Sequence, residues 1–273
     1  VSLQLAEPTR AFLEHYSADP SHAVLLSGPR GVGLKTLALH MAQTNGRVLD
    51  IIEPIAKTAK GQVIISVERV RELYDETRTM LDGRHFVVID DADRMNQPAQ
   101  NALLKLLEEP NQSVHFILTT HAPDVLLPTI RSRTWQFAVP SIDEMSSHRL
   151  VKGLGITDET KRTQLLYVAS GLPAELSRLS VAGDFDKLLS DVRRARLFIE
   201  GTSYQRLIVA NELKEDREVA LRFIDTVIML LRRTVPMSAD ARSTLRLIDS
   251  LLEAYMAIKA NGNVRLQLAA AVV

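Results

Sequence analysis

Along the first 140 residues, short runs of consecutive apolar residues alternate with stretches in which apolar side chains return every three or four positions. The first pattern is that of strands buried on both faces and the second that of helices with one apolar stripe; their alternation predicts parallel strands joined by crossover helices. Strands are predicted over Ala23–Leu26, Val48–Ile52, Arg84–Ile89, Val114–Leu118 and Thr134–Ala138. Between them, helices are predicted over Thr36–Gln43, Val67–Leu81 and Gln97–Glu108, the last opened by Asn96 as an N-cap and stopped ahead of Pro110. After Pro140 the strand pattern ends. SIDE, Ser141 to Glu144, reads as a capping box, with helices expected over Ile142–Lys152, Asp158–Ala169 and Ala174–Leu179 and Gly171 as the stop after the second. From Phe185 onward apolar residues keep helical spacing, through Val219, Leu221, Phe223, Ile224, Val227, Ile228, Leu230 and Leu231, then Leu245, Ile248, Leu251, Leu252 and Tyr255. The expected fold class is α/β with a parallel sheet over 1–140, a small three-helix unit over 141–182 and an all-α domain over 183–273.

Composition narrows the functional classes. The chain has 273 residues, 46% of them hydrophobic, enough for ordinary cores. No apolar run approaches the roughly 20 residues of a membrane span, and VSLQLAEPTR lacks the layout of a secretory signal, so a cytoplasmic protein without a membrane partner is expected. Zero cysteines exclude disulfides and cysteine-ligated metal sites, and the seven histidines show no paired ligand spacing, so no metal site is expected. Thirty-three basic and thirty-three acidic residues cancel, leaving no net charge to attract nucleic acid or an anionic membrane.

Two stretches carry candidate chemistry. GPRGVGLKT, Gly28 to Thr36, follows a strand and opens a helix as a phosphate-binding loop does, with Gly28, Gly31 and Gly33 in place. Leu34 stands at the lysine position and Lys35 at the Ser/Thr position, while Thr36 comes one residue late. A shift of one residue turns a helical side chain by roughly 100°, so Lys35 is expected to point away from a phosphate held by the loop. Weak nucleotide binding through the loop amides remains an open alternative. The second stretch, FVVIDDADRM, delivers Asp90 to the carboxyl end of a buried strand, where a magnesium shell would be held in an active enzyme. Asp91 follows where a glutamate would orient the attacking water, one methylene too short for that task.

Together GPRGVG, FVVIDDADRMNQPAQNALLKLLEEP and FILTTHAPDVLLPTIRSRTWQF resemble the bacterial clamp-loader AAA+ family of DNA polymerase III, on the delta-prime side of that family. The likeness is dense over about 5–140, weaker after it, and returns at NGNVRLQLA. It implies a nucleotide-binding-like domain over 1–140, a helical lid over 141–182 and a collar over 183–273, with the apolar end AAAVV leaving open that the chain continues. It also implies that IRSRT contains the family's serine-arginine motif: Ser132 and Arg133 are the candidate catalytic pair, Arg133 reaching into a neighbour's ATP site, with Thr134 replacing the motif's cysteine. Thr119 falls at the family's first sensor position. Ala174 falls where active members carry a phosphate-sensing arginine, and Arg178, one turn later, is expected to be structural or solvent-facing. The family's zinc module is missing between NGRVLDIIEP and the next strand.

Leu34, Asp91 and Ala174 therefore lead to one expectation: a scaffolding subunit that does not hydrolyse ATP, takes no cofactor of its own and lends Arg133 to an adjacent subunit. Gly28, Gly31, Gly33, Lys35, Thr36, Asp90, Asp91 and Thr119 would then form a degenerate nucleotide site. Its implied partners are gamma/tau and delta subunits, and within the complex the sliding clamp and primer-template DNA. An active AAA+ ATPase and a regulator that binds nucleotide without hydrolysis are the alternatives.

Overall fold

The computed structural model describes residues 3–56, 63–77, 82–109, 111–181, 183–234 and 241–271. The chain divides into two compact units, Val1–Ser180 and Val181–Val273.

In the first unit, five strands form a wholly parallel sheet: β1 (Ala23–Ser27), β2 (Arg47–Ile52), β5 (His85–Ile89), β6 (Val114–Thr120) and β7 (Trp135–Ala138), in the order β2-β5-β6-β1-β7. All five expected strands are present, shifted by at most two residues at their ends. The apolar runs have the cause read from the sequence, since β5 and β6 are buried along their whole length. Alternate side chains serve opposite faces. Val24, Leu26, Phe86, Val88 and Ile117 pack against α1 (Glu7–Ala18) and α2 (Leu34–Asn45). Ala23, Leu25, Val87, Ile89, Phe116 and Leu118 pack against α3 (Val67–Thr77), α4 (Gln97–Glu108) and α5 (Pro128–Ser132). Helix α4 begins at Asn96, whose side chain accepts from the amide of Ala99 at 2.9 Å.

Three details differ from the sequence reading. Helix α1 was not expected; its buried side chains are Thr9, Phe12 and Tyr16, and Phe12 stacks on Phe137 of β7 at 4.0 Å. An antiparallel pair of two-residue strands, β3 (Ile55–Ala56) with β4 (Val63–Ile64), also went unforeseen. The third concerns the start of α6 (Glu144–Gly153), which is capped by Asp143 instead of Ser141. The amide of Ile142 donates to Gly171 at 3.1 Å, which holds Ser141 and Ile142 outside the helix, and the Asp143 carboxylate accepts from Ser146 at 2.6 Å. That bond lowers the Asp143 pKa.

Helices α7 (Glu159–Ala169) and α8 (Pro173–Ser180) complete this unit, separated by Gly171 at φ +85°. Of the predicted helix over Val67–Leu81, the part beyond Thr77 lies outside the described residues.

The second unit contains α9 (Asp184–Glu200), α10 (Ser203–Glu212), α11 (Arg217–Thr234), α12 (Ala241–Lys259) and α13 (Val264–Ala270). Phe223, Ile224, Val227 and Leu230 of α11 are buried, and Phe198 of α9 meets Phe223 edge-on at 5.5 Å. On α12 the apolar stripe splits. Ile248 and Leu251 face the core, whereas Leu245, Leu252 and Met256 are exposed.

Candidate functional site

The parallel register brings the carboxyl ends of β1, β5 and β6 side by side, with Leu26 opposite Thr119 and Ile89 opposite Leu118. Ligand sites form at such strand ends in parallel sheets. The loop after β1 turns through Gly31 (φ +85°) and Gly33 (φ +96°), the left-handed backbone that glycine adopts without strain, and Gly33 leads directly into α2. This explains why α2 begins at Leu34 instead of Thr36.

The loop residues Leu34, Lys35 and Thr36 take three different places. Leu34 is buried in the core with Val32, Leu37 and Val139. Lys35 forms an ion pair with Glu53, beyond the end of β2, and Thr36 is exposed. Against the loop lies the first turn of α8. The amides of Ala174 and Glu175 donate to the Gly31 carbonyl at 2.9 and 3.1 Å. A Cβ on Gly31 would come within 2.8 Å of Glu175 Cβ, which leaves no room there for a side chain. Helix N-terminal amides are natural anion donors, and here two of them are bonded to the loop. The Glu175 carboxylate accepts from Arg178 at 2.6 and 3.0 Å, which gives Arg178 a structural partner within its own helix.

The acidic strand end is equally occupied. Thr119 donates to Asp90 at 2.7 Å and accepts from the amide of Asp91 at 3.0 Å. Asp91 lies in the left-handed region at φ 48°, with Arg94 at 3.1 Å from one carboxylate oxygen and His121 at 3.7 Å from the other. Asp93 accepts from the Thr120 hydroxyl at 2.8 Å and from the His121 amide at 3.2 Å. His121 Nδ1 sits 2.7 Å from the Gly28 carbonyl. A carbonyl only accepts, so Nδ1 carries the proton and the imidazole bridges the loop to the acidic strand end.

Gly28, Asp90, Asp91 and Thr119 thus share one polar cluster, whereas Lys35 and Thr36 lie outside its hydrogen bonds. Sequence reasoning missed His121, Asp93, Glu53 and Glu175. Only His121 had a local signal, as the first polar residue past a buried strand. Among the described residues, no group of three His, Cys, Asp or Glu is placed to hold a metal ion.

Ser132 and Arg133 lie at the end of α5. Ser132 donates to the Thr129 carbonyl at 3.1 Å. Arg133 is partly exposed, its Nη2 lying 2.9 Å from Glu108 and its Nη1 donating to Thr129 at 3.2 Å. Arg131 instead pairs with Asp124 at 2.8 Å, and the Thr134 hydroxyl is 3.2 Å from the Ile130 and Arg131 carbonyls.

Residues 45–143 match the family described as DNA polymerase III, delta subunit. The delta' subunit of Pseudomonas aeruginosa is 33% identical over 193 residues, 61% of this chain and 58% of that protein. The tau subunit of Escherichia coli is 33% identical over 173 residues, 53% of this chain and 26% of that protein. The chain therefore spans just over half of the first relative and about a quarter of the second. Among solved structures, a DNA polymerase III gamma subunit-related protein from Thermotoga maritima superposes with a TM-score of 0.54 at 18% identity, covering 97% of both chains. The RuvB Holliday junction branch migration motor of the same organism gives 0.50 at 17% identity, over 87% of this chain and 83% of that one. At these identities the two structures speak for the shared fold. The sequence matches make this chain similar to the delta' and tau subunits of bacterial DNA polymerase III.

Proposed function

We propose that this chain is a delta-prime-like clamp-loader subunit that does not hydrolyse ATP and that lends Arg133 to the ATP site of a neighbouring gamma/tau-type subunit. The observation that carries this reading is the contrast between a cleft whose polar groups bond to one another and an arginine left at the surface. In the cleft, the lysine position holds buried Leu34, Lys35 is paired with Glu53, two first-turn amides of α8 are taken by Gly31, and Asp90 is bonded to Thr119. Lys35 and Asp90, the side chains that would meet phosphate and metal, each have a protein partner, which supports a site without magnesium nucleotide. When a phosphoryl group is transferred, a guanidinium supplies a permanent charge and a planar fork of donors to the γ-phosphate, and Arg133 is accessible enough to do so across a subunit boundary.

On this reading the subunit works through contacts. Exposed Leu245, Leu252 and Met256 on α12 would be covered by other subunits in a collar, with delta, the sliding clamp and primer-template DNA as further members of the working complex. Balanced charge is compatible with a few phosphate contacts per subunit. No described helix is long and apolar enough to cross a membrane, consistent with the proposed cytoplasmic site of action.

The matches to gamma and tau subunits favour a second reading, a divergent motor subunit. Calorimetry of the isolated chain with ATP and Mg²⁺, followed by a turnover assay, separates the two. The silent subunit gives neither binding heat nor phosphate release, and turnover dependent on Lys35 and Asp90 establishes the motor.

A further inference from the structure

We infer that Glu108 is a positioning residue for Arg133, holding the guanidinium in the orientation in which it serves a neighbouring phosphate. This rests on the reading of Arg133 as a lent arginine. Glu108 is the last residue of α4, a helix fixed to the core by Leu103, Leu106 and Leu107. Thr129 lies on α5, anchored by buried Ile130. Arg133 therefore has two acceptors on two rigid elements, the Glu108 carboxylate at 2.9 Å and the Thr129 carbonyl at 3.2 Å. A free arginine side chain samples many rotamers. One held in this way keeps its orientation and still has N–H groups to offer an external anion, because a guanidinium carries five donors in a fixed plane.

The pair is solvent-exposed, with 39% of the Arg133 and 49% of the Glu108 side chain accessible, so it contributes little to folding. Such a contact confines the arginine without competing strongly against a multiply charged phosphate. Glu109, the adjacent acid, makes no ion pair among the described residues and serves as a control of equal charge change.

The test uses the assembly reconstituted with gamma/tau-type and delta-type subunits, reading kcat and KM for ATP together with assembly by size exclusion. Glu108→Ala is expected to lower kcat roughly two- to five-fold, the range of an exposed ion pair, with KM and assembly unchanged. Glu108→Gln, which keeps an acceptor, restores part of the loss, and Glu109→Ala matches the wild type. In an Arg133→Ala background, Glu108→Ala changes nothing further. A loss of equal size in that background shows a merely structural role and overturns the inference. Wild-type turnover for Glu108→Ala beside a slow Arg133→Ala assembly overturns it alone, leaving the lent arginine intact. Full turnover for Arg133→Ala overturns both.

Discussion

The carboxyl ends of β1, β5 and β6 and the corner between α4 and α5 are both polar, and both hold residues that a nucleotide-handling protein would use. They differ in what those residues touch. At the strand ends, Asp90, Asp91, Asp93, Thr119, Thr120 and His121 bond to one another or to the loop, and Thr119 and Thr120 are fully buried. At the corner, Arg133 is held by one exposed carboxylate and one carbonyl. Buried hydrogen bonds are costly to break, because a donor or acceptor left behind has no water to turn to, whereas exposed pairs exchange readily for another ion. The same residue types therefore make a closed structural joint in one place and an available group in the other.

The sharpest way to break this comparison is Arg133→Ala in the reconstituted complex. Turnover at the ATP site it completes is expected to fall on the order of 10³-fold with assembly intact, measured by single-turnover phosphate release. Next comes Leu34→Lys, which restores the lysine position. Because Leu34 is buried, an ammonium there loses packing and hydration, and stability is expected to fall by about 2–4 kcal/mol in urea unfolding, with no calorimetric gain in ATP binding. A gain in binding would show that the cleft is closed by sequence alone and not by its hydrogen bonds.

Thr119→Val should cost about 1–3 kcal/mol, since it strands the Asp90 carboxylate and the Asp91 amide together, again read by urea unfolding. The smallest effect expected is an acid response at the opposite ends of the strands. Burial lowers the His22 pKa from its ordinary value of 6.5, and among the described residues its Nε2 is buried without a hydrogen-bond partner. The folded state therefore favours the neutral ring. That contribution is complete above about pH 6.5 and is lost as pH falls from there toward the depressed folded value. His22→Gln should flatten stability against pH in this window, and an unchanged slope would show that His22 does not carry the acid response.

The sheet was legible because strands buried on both faces require continuous apolar runs, and VLLS, FVVI and HFILTT each supply one. The loop was legible because its glycines answer a local backbone demand at Gly31 and Gly33. Helix α1 and the β3–β4 pair were not, since one buries few side chains and the other has two residues per strand. At α6 two capping residues competed, and the choice of Asp143 depends on a bond between Ile142 and Gly171 that spacing does not encode. The same holds for the partners of the candidate site. Glu53, Glu175 and Glu108 reach Lys35, the loop and Arg133 from other elements, so their roles follow from topology.

The carbonyl of Gly31 has a consequence for how the protein comes apart. It serves as the starting acceptor of a helix that begins 142 positions later in the chain, at Pro173. A helix of eight residues is too short to persist by itself in water. Its first turn therefore forms only once the glycine loop has set, and frays when that loop does. The α/β layers and the three helices that follow them should melt as one cooperative block, in a single transition shared by everything from α1 to α8.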